Sequence, residues 1–362
     1  MTAGNHDSRL VRVLVADDSA FMRTALTRLI ESDPELRVSG TAQSGSEALE
    51  KVDFLQPDVV TLDVEMPGMN GLEALKQIME KSPRPVIMVS SLTREGAETT
   101  LEALALGAFD YVPKQNSFVA LDIIKIREDL ITKIKAAAEC FRRRPKAQTK
   151  RPAPVREKTQ IERASNITPT IVALGTSTGG PKALQEILPL LPADLPVGVL
   201  IVQHMPVGFT GPFAHRLNDL CHVNVREAAN DDVIKPGVVY IAPAGKHMTV
   251  HRQTPRQAVI RLSLTPEHTL HTPSVDVMMR SVAEVFRSQA MGVIMTGMGS
   301  DGLEGMRAIA REGGLTVGQD EASCAVYGMP RACAESGILR RVVSLPNIPE
   351  QILLATHYSH KA

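Results

Sequence analysis

Tryptophan is absent from this 362-residue chain and aromatic residues make up only 3% of it, which argues against the stacked-base platforms of single-strand nucleic-acid binders. Net charge is lacking too. Its 40 Lys+Arg balance 40 Asp+Glu, so no overall field draws the chain to nucleic acid or to an anionic membrane. Cysteine is scarce: Cys140, Cys221, Cys324 and Cys333 form no CxxC pair, and in a cytosolic chain they read as free thiols. No apolar run reaches the ~20 residues that span a bilayer; the best stretch, 186–202, is broken by Asp194 and three prolines. The N-terminus, MTAGNHDSRLVRV, lacks the charged-then-apolar layout of a signal peptide. A cytoplasmic location without membrane insertion is therefore expected.

What is present is the composition of an ordinary soluble protein, 43% hydrophobic and 22% charged, with apolar mass for more than one core. Residues 142–163 differ, carrying nine Lys/Arg, two Asp/Glu and three prolines. Such a stretch buries too little surface to offset the entropy of ordering it, and reads as a solvated linker. On either side, β-branched runs alternate with amphipathic stretches: VRVLVA (11–16), DVVTLD (58–63) and PVIMVS (85–90) before it, TIVALG (170–175), PVGVLIVQ (196–203) and GVIMTG (292–297) after it. This alternation predicts two α/β units with parallel sheets covered by helices on both faces. Residues 238–263, with VVYIA, HMTVHR and AVIRLS in close succession, predict a small antiparallel insertion. Chemistry in such sheets gathers beyond the carboxyl ends of the strands.

In the first unit those ends carry Asp17 and Asp18, then Asp63, then Ser90, then Lys114. Three carboxylates converging on one rim repel one another unless a divalent cation joins them, and all-oxygen ligation suits Mg²⁺. Any one of these residues could be a helix cap; Asp18 or Ser19 would serve. Acid pair, single acid, hydroxyl and lysine in that order on four strands are more than capping. With LDVEMPGMNG at 62–71, the arrangement resembles the receiver domain of two-component response regulators over about residues 9–130. The resemblance implies a five-stranded, doubly wound, flavodoxin-like fold. It implies Asp63 as the acceptor of a phosphoryl group from a histidine kinase, with Asp17, Asp18, Asp63 and the Glu65 carbonyl as Mg²⁺ ligands. Ser90 answers to the switch hydroxyl and Lys114 to the phosphate-pairing lysine; Tyr111 sits where the family often has a switch aromatic, though a core tyrosine fits as well.

The second unit holds two glycine-rich turns. ALGTSTGGPKAL has Gly175 and Gly180 at phosphate-loop spacing, but Pro181 takes the lysine position, so the essential cation is misplaced. Read instead as G-x-S-x-G, residues 175–179 make a nucleophile elbow at Ser177. MTGMGSDG mimics a dinucleotide fingerprint, yet Asp301 would meet the pyrophosphate with a like charge. One reading unites the pieces: Ser177, His204 and Asp301 each follow a strand, so His204 can deprotonate Ser177 while Asp301 orients the imidazole. The order Ser…His…Asp differs from the Ser…Asp…His of α/β-hydrolases.

GTSTGG, QHMPVGFT, YIAPAGKHM, PSVDVMMRSVAE, GVIMTGMGSDG and EASCAVYGMPRA, in this order, resemble the catalytic domain of the chemotaxis receptor methylesterases (CheB type). The resemblance implies a three-layer, mostly parallel α/β/α domain over 168–358, joined to the receiver by a helix end and basic linker at 131–167. It implies a serine hydrolase that removes methyl esters from glutamates of methyl-accepting chemoreceptors and often deamidates their glutamines, with no cofactor for that step. Ser177 would be nucleophile, His204 base and acid, Asp301 the orienting carboxylate, and backbone N–H groups near Thr178 and Met298 the oxyanion hole. The chain departs from the family at Thr272, where an arginine usually precedes PSVD; substrate preference could differ there. A DNA-binding output is the rival reading, but no helix-turn-helix pattern with basic recognition positions follows the receiver.

Overall fold

The computed structural model describes residues 10–91, 93–114, 120–143 and 168–358, so the linker segment 144–167 lies outside the described residues. In the N-terminal unit strands and helices alternate: β1 (Val11–Ala16), α1 (Ala20–Glu31), β2 (Leu36–Ala42), α2 (Gly45–Leu55), β3 (Val59–Asp63), α3 (Gly71–Lys81), β4 (Val86–Ser91), α4 (Arg94–Ala105), β5 (Asp110–Lys114) and α5 (Ala120–Arg143). All pairs are parallel in the order β2-β1-β3-β4-β5. The order reverses between β1 and β3, which opens a crevice at their carboxyl ends. Hydroxyl and amide side chains start the helices: Ser19, Ser44 and Thr93 cap α1, α2 and α4, and Asn70 with Glu73 closes a capping box on α3.

The C-terminal unit continues with β6 (Ile171–Thr176), α6 (Gly180–Ile187), β7 (Gly198–Gln203), α7 (Thr210–Leu220), β8 (Asn224–Glu227) and β9 (Val238–Ile241). An antiparallel pair, β10 (His247–Thr254) and β11 (Gln257–Ser263), precedes α8 (Val275–Phe286), β12 (Ala290–Ile294), α9 (Leu303–Arg311), β13 (Leu315–Gln319), α10 (Met329–Glu335), β14 (Arg341–Val343) and α11 (Ile348–Ala355). Seven parallel strands lie in the order β14-β13-β12-β6-β7-β9-β8. The antiparallel insertion is smaller than the sequence pattern predicts. Val238–Ile241 belongs to the main sheet, parallel to β7 and β8, because its apolar residues fill the layer beside β7.

Alternate residues of β6 serve two cores: Val172 and Leu174 face one, Ile171 and Ala173 the other. Burial on both faces explains the unbroken hydrophobic runs. The first core continues across the domain boundary, so that Tyr111 and Leu104 of the receiver share a cluster with Phe209 and Ala183. The four cysteines are unpaired, and no described helix is long and apolar enough to cross a membrane.

Candidate active site

β6 lies between β7 and β12, and the sheet's direction of growth reverses there, the place where such sheets collect ligand-binding groups. Thr176 pairs with Gln203 across β6 and β7, and the His204 N–H extends that ladder to the Thr176 carbonyl at 3.2 Å. Ser177 and His204, one residue further on each strand, are therefore neighbours on the crest. On the other side the Ser177 N–H donates to the Thr296 carbonyl at 3.0 Å. Side chains then brace the turn: Thr176 Oγ1 donates to Thr296 O at 2.8 Å, Thr296 Oγ1 to Thr178 O at 2.9 Å, and Gln203 Nε2 to Ser177 O at 3.0 Å and His204 O at 2.9 Å. A Cβ on Gly297 would lie 2.9 Å from Ser177 Cβ and would collide with Met329 Sδ. Glycine is thus needed where the Gly297–Met298 turn passes the serine.

His204 and Asp301 meet. His204 Nε2 is 2.8 Å from Asp301 Oδ2, while His204 Nδ1 is buried and has no hydrogen-bond partner among the described residues. Ser177 Oγ makes no hydrogen bond to it in this state; such bonds often tighten only in the substrate complex. Asp301 also accepts from Val275 N at 2.8 Å, Asp276 N at 3.0 Å and Ser274 Oγ at 2.8 Å, at the N-terminus of α8. Burial alone would raise its carboxyl; the His204 hydrogen bond and charge, with the backbone donors, outweigh that and hold it well below the usual carboxylate range.

Sequence reasoning missed three contributors. His271 stacks on His204, with ring centroids 4.0 Å apart and planes 19° apart. Ser274, visible only as part of PSVD, caps α8 and clamps Asp301. Asp110 of the receiver accepts the Gly179 N–H at 3.3 Å, two residues beyond Ser177. Thr272 turns its carbonyl to the Gly245 N–H at 3.0 Å and so keeps to the same rim. Thr178 is buried beside the serine and Met298 follows Gly297 in the crossing turn.

At the receiver crevice, oxygens of Asp17, Asp18 and Asp63 lie within 4.8 Å of one another. Lys114 Nζ bridges Asp63 at 2.6 Å and Asp17 at 3.0 Å. Burial, with a smaller contribution from Asp17, pushes the Asp63 carboxyl up to about 6 against the pull of Lys114. An all-carboxylate donor set with one oxygen each to offer suits a hard divalent cation. Ser90 donates to Gly96 O at 3.1 Å in the buried end of β4, and Glu65 N donates to Asp63 Oδ1 at 3.3 Å. Ser19, rather than Asp18, caps α1. Tyr111 is neither a free surface aromatic nor a residue of the receiver core alone: it is buried against Phe209 of the other domain.

Two family models divide the chain in the same way: "Response regulator receiver domain" matches residues 13–124 and "CheB methylesterase" matches 172–352. A protein-glutamate methylesterase/protein-glutamine glutaminase of Oleidesulfovibrio alaskensis is 45% identical over 96% of this chain and 100% of its own length. The chain belongs to the CheB methylesterase family. A protein of the same name from Pyrococcus abyssi is 45% identical over 96% of this chain and 94% of its own. Among solved structures, the CheB methylesterase catalytic domain of Thermotoga maritima is 36% identical, with a TM-score of 0.50, over 52% of this chain and 99% of that one. A CheB enzyme joins a hydrolase to a receiver, and both the crest and the acidic crevice of this chain fit that description.

Proposed function

We propose that this hydrolase, a protein-glutamate methylesterase acting in chemotactic adaptation, uses Ser177 as nucleophile, His204 as base and acid, and Asp301 as the orienting carboxylate. Its substrates are γ-methyl esters of glutamate on the cytoplasmic domains of methyl-accepting chemoreceptors. The observation that carries the reading is the part-buried His204–Asp301 pair at 2.8 Å, on a crest where Ser177 is the next strand's counterpart and His204 Nδ1 is unpartnered among the described residues. Ser177 Oγ bonds to the ester carbon as its proton passes to His204 Nδ1. Asp301 stabilises the resulting imidazolium without itself taking the proton. N–H groups at Thr178 and Met298 receive the oxyanion. Methoxide leaves as methanol with the proton from His204, and a water activated by the same imidazole releases the carboxylate. With a glutamine side chain the leaving group is ammonia, which gives the glutaminase reaction.

Asp63 is the phosphoacceptor, served by a chemotaxis histidine kinase. Asp17, Asp18, Asp63 and the Glu65 carbonyl would hold Mg²⁺, which when bound supplies positive charge to the phosphoryl oxygens. Lys114, released from the Asp63–Asp17 pair, is placed to meet the phosphoryl group, and Ser90 and Tyr111 carry the change to the domain boundary. Methanol release from methylated receptor membranes, with and without acetyl phosphate and Mg²⁺, tests the reading. Ser177→Ala should abolish release while the melting temperature stays within a few degrees; full activity in that variant would sink the serine mechanism.

A further inference from the structure

We propose that Val207 and Leu270 form an apolar rim beside the crest, which receives an aliphatic side chain of a helical substrate one turn away from the esterified glutamate. This rests on the reading of Ser177 and His204 as the hydrolytic pair of a glutamyl methylesterase. Single exposed aliphatics are ordinary on a protein surface. These two stand in the two loops that border His204. Val207 lies three residues beyond it and is 69% exposed. Leu270 is 97% exposed and directly precedes His271, whose ring lies 4.0 Å from that of His204. Gly245 joins the two loops: its N–H donates to Thr272 O at 3.0 Å, and a Cβ on it would lie 3.1 Å from Val207 Cγ2.

Both side chains are presented on fixed backbone. Phe209 anchors the first loop, buried against Tyr111 of the receiver, yet Val207, two residues earlier, stays open with the receiver in place. Buried His247 ties both ends of the second loop, with Nε2 at 3.2 Å from Pro266 O and Nδ1 accepting the Ser274 N–H at 3.2 Å. Within it Thr269 Oγ1 donates to the His271 carbonyl at 2.9 Å. An exposed group already held in position gives up little freedom when a partner covers it. Charge points to an apolar partner. Across 205–209, 243–246 and 264–273 the formally charged residues are Lys246 and Glu267, which cancel, so the rim exerts no net pull on an acidic segment. On a helix, side chains three or four residues apart are about 5–6 Å from one another. That is the scale of the step from the His204 ring to the loop that presents Leu270.

Two synthetic helical peptides test the rim, each with one glutamate γ-methyl ester. They differ only at the positions three and four residues to either side of it, leucine in one and glutamine in the other. The full chain carrying Ser177→Ala, in which the ester persists, is treated with acetyl phosphate and Mg²⁺, and affinity is read by fluorescence anisotropy. Apolar contacts of this size discriminate by about 10- to 200-fold, and an open rim belongs at the low end. The leucine peptide should bind about tenfold more tightly. Adding Leu270→Gln and Val207→Gln should bring the two peptides within about twofold and leave the glutamine peptide unchanged. With Ser177 restored, the same pair of substitutions should raise KM for the leucine peptide about tenfold, with kcat and fluorophosphonate labelling of Ser177 within about twofold. Equal or absent binding of the two peptides, a preference that survives both substitutions, or an equal loss for both peptides would each overturn the proposal. So would self-association of the chain that Leu270→Gln abolishes, since the rim would then belong to a second copy. Should the preference and its loss appear while the parent releases no methanol, the esterase reading fails and the rim stands.

Discussion

The ring of Tyr111, on the receiver, lies flat against Phe209 of the catalytic domain, with centroids 5.1 Å apart and planes 3° apart. Phe209 ends the loop that begins at His204 and leads into α7. One residue before Tyr111, Asp110 accepts the Gly179 N–H in the turn that follows Ser177. A single receiver strand, β5, therefore touches the loops beyond both β6 and β7. Lys133 of α5 secures the strand from behind, donating to Tyr111 O at 2.7 Å and pairing with Asp129 at 2.9 Å. Through these contacts the receiver abuts the loops that carry Ser177 and His204.

Loosening that contact should free the crest without phosphorylation. Phe209→Leu keeps apolar volume in the core but removes the stacked face, and such a pair contributes about 0.5–1.5 kcal/mol beyond its burial. If the docked state limits access, the unphosphorylated rate of methanol release should rise about two- to tenfold. The rate with acetyl phosphate should stay within twofold. An unchanged basal rate would disconnect the stack from control.

Asp63→Asn removes the proposed acceptor oxygen but keeps the shape of the crevice, where Lys114 Nζ lies 2.6 Å from the carboxylate. Acetyl phosphate should then no longer stimulate methanol release. A chelator should likewise block stimulation in the parent chain while leaving the basal rate in place, since the proposed serine step moves its proton through His204 and calls on no cation. Loss of the basal rate on chelation would mean that the esterase step itself depends on a cation.

Strand-end placement of the polar residues was legible in the sequence because a parallel sheet buries its strands on both faces and leaves only their termini to carry polar groups. Asp63, His204 and Ser177 stand out for that reason, each directly at or after an apolar run. His271 did not stand out. It lies in a loop without periodicity, one of ten histidines in the chain, and its place depends on His247, 24 positions earlier and buried beneath the same loop. Strand β2 (Leu36–Ala42) was equally hidden: it is an edge strand whose middle is only half-buried, so no β-branched run marks it. Val238–Ile241 was assigned to the wrong sheet because adjacency in sequence suggested pairing with β10, whereas its partners β7 and β8 come from earlier in the chain. Nothing local encodes the domain contact of Asp110 with Gly179, 69 residues apart.

Gly297 offers a test of the tight crossing over Ser177. A methyl group there would press on Ser177 Cβ at 2.9 Å and Ser177 N at 3.0 Å. Overpacking of this kind costs about 1–3 kcal/mol, and here the displaced atoms belong to the proposed nucleophile. Gly297→Ala should fall in melting temperature by several degrees and lose at least tenfold in fluorophosphonate labelling of Ser177. Parental stability and labelling together would show that the turn has room to spare.

Acid should weaken the catalytic domain before it touches most carboxylates. Burial keeps His247 below the usual 6.5 of a histidine and pushes His271 down to about 4. Between those limits the unfolded chain binds protons that the fold refuses, so stability is complete above about pH 6.5 and is lost as pH falls toward 4. For His271 the whole effect is on the order of 3 kcal/mol. Thermal unfolding from pH 7 to 4.5 should show a falling melting temperature, and His271→Phe should flatten that fall. An equal slope in both proteins would assign the loss to other groups.

Asp301→Asn probes the site at its most constrained group. The carboxylate accepts four hydrogen bonds, from His204, Ser274 Oγ and the N–H groups of Val275 and Asp276, shared between its two oxygens. An amide has one oxygen and one NH₂, so in either orientation an N–H meets a donor. If the NH₂ faces Oδ2's former partners, His204 must turn its Nε2 into an acceptor and carry its proton on Nδ1, where it can no longer take one from Ser177. If it faces the other pair, α8 loses its anchor through Ser274 and Asp276, and the imidazolium still loses its counter-charge. The expected result is a fall in kcat of about 10³- to 10⁴-fold, with KM little changed and a melting temperature several degrees lower. Single-turnover methanol release with receptor in excess of KM measures the first; a loss under tenfold would remove Asp301 from the role assigned to it.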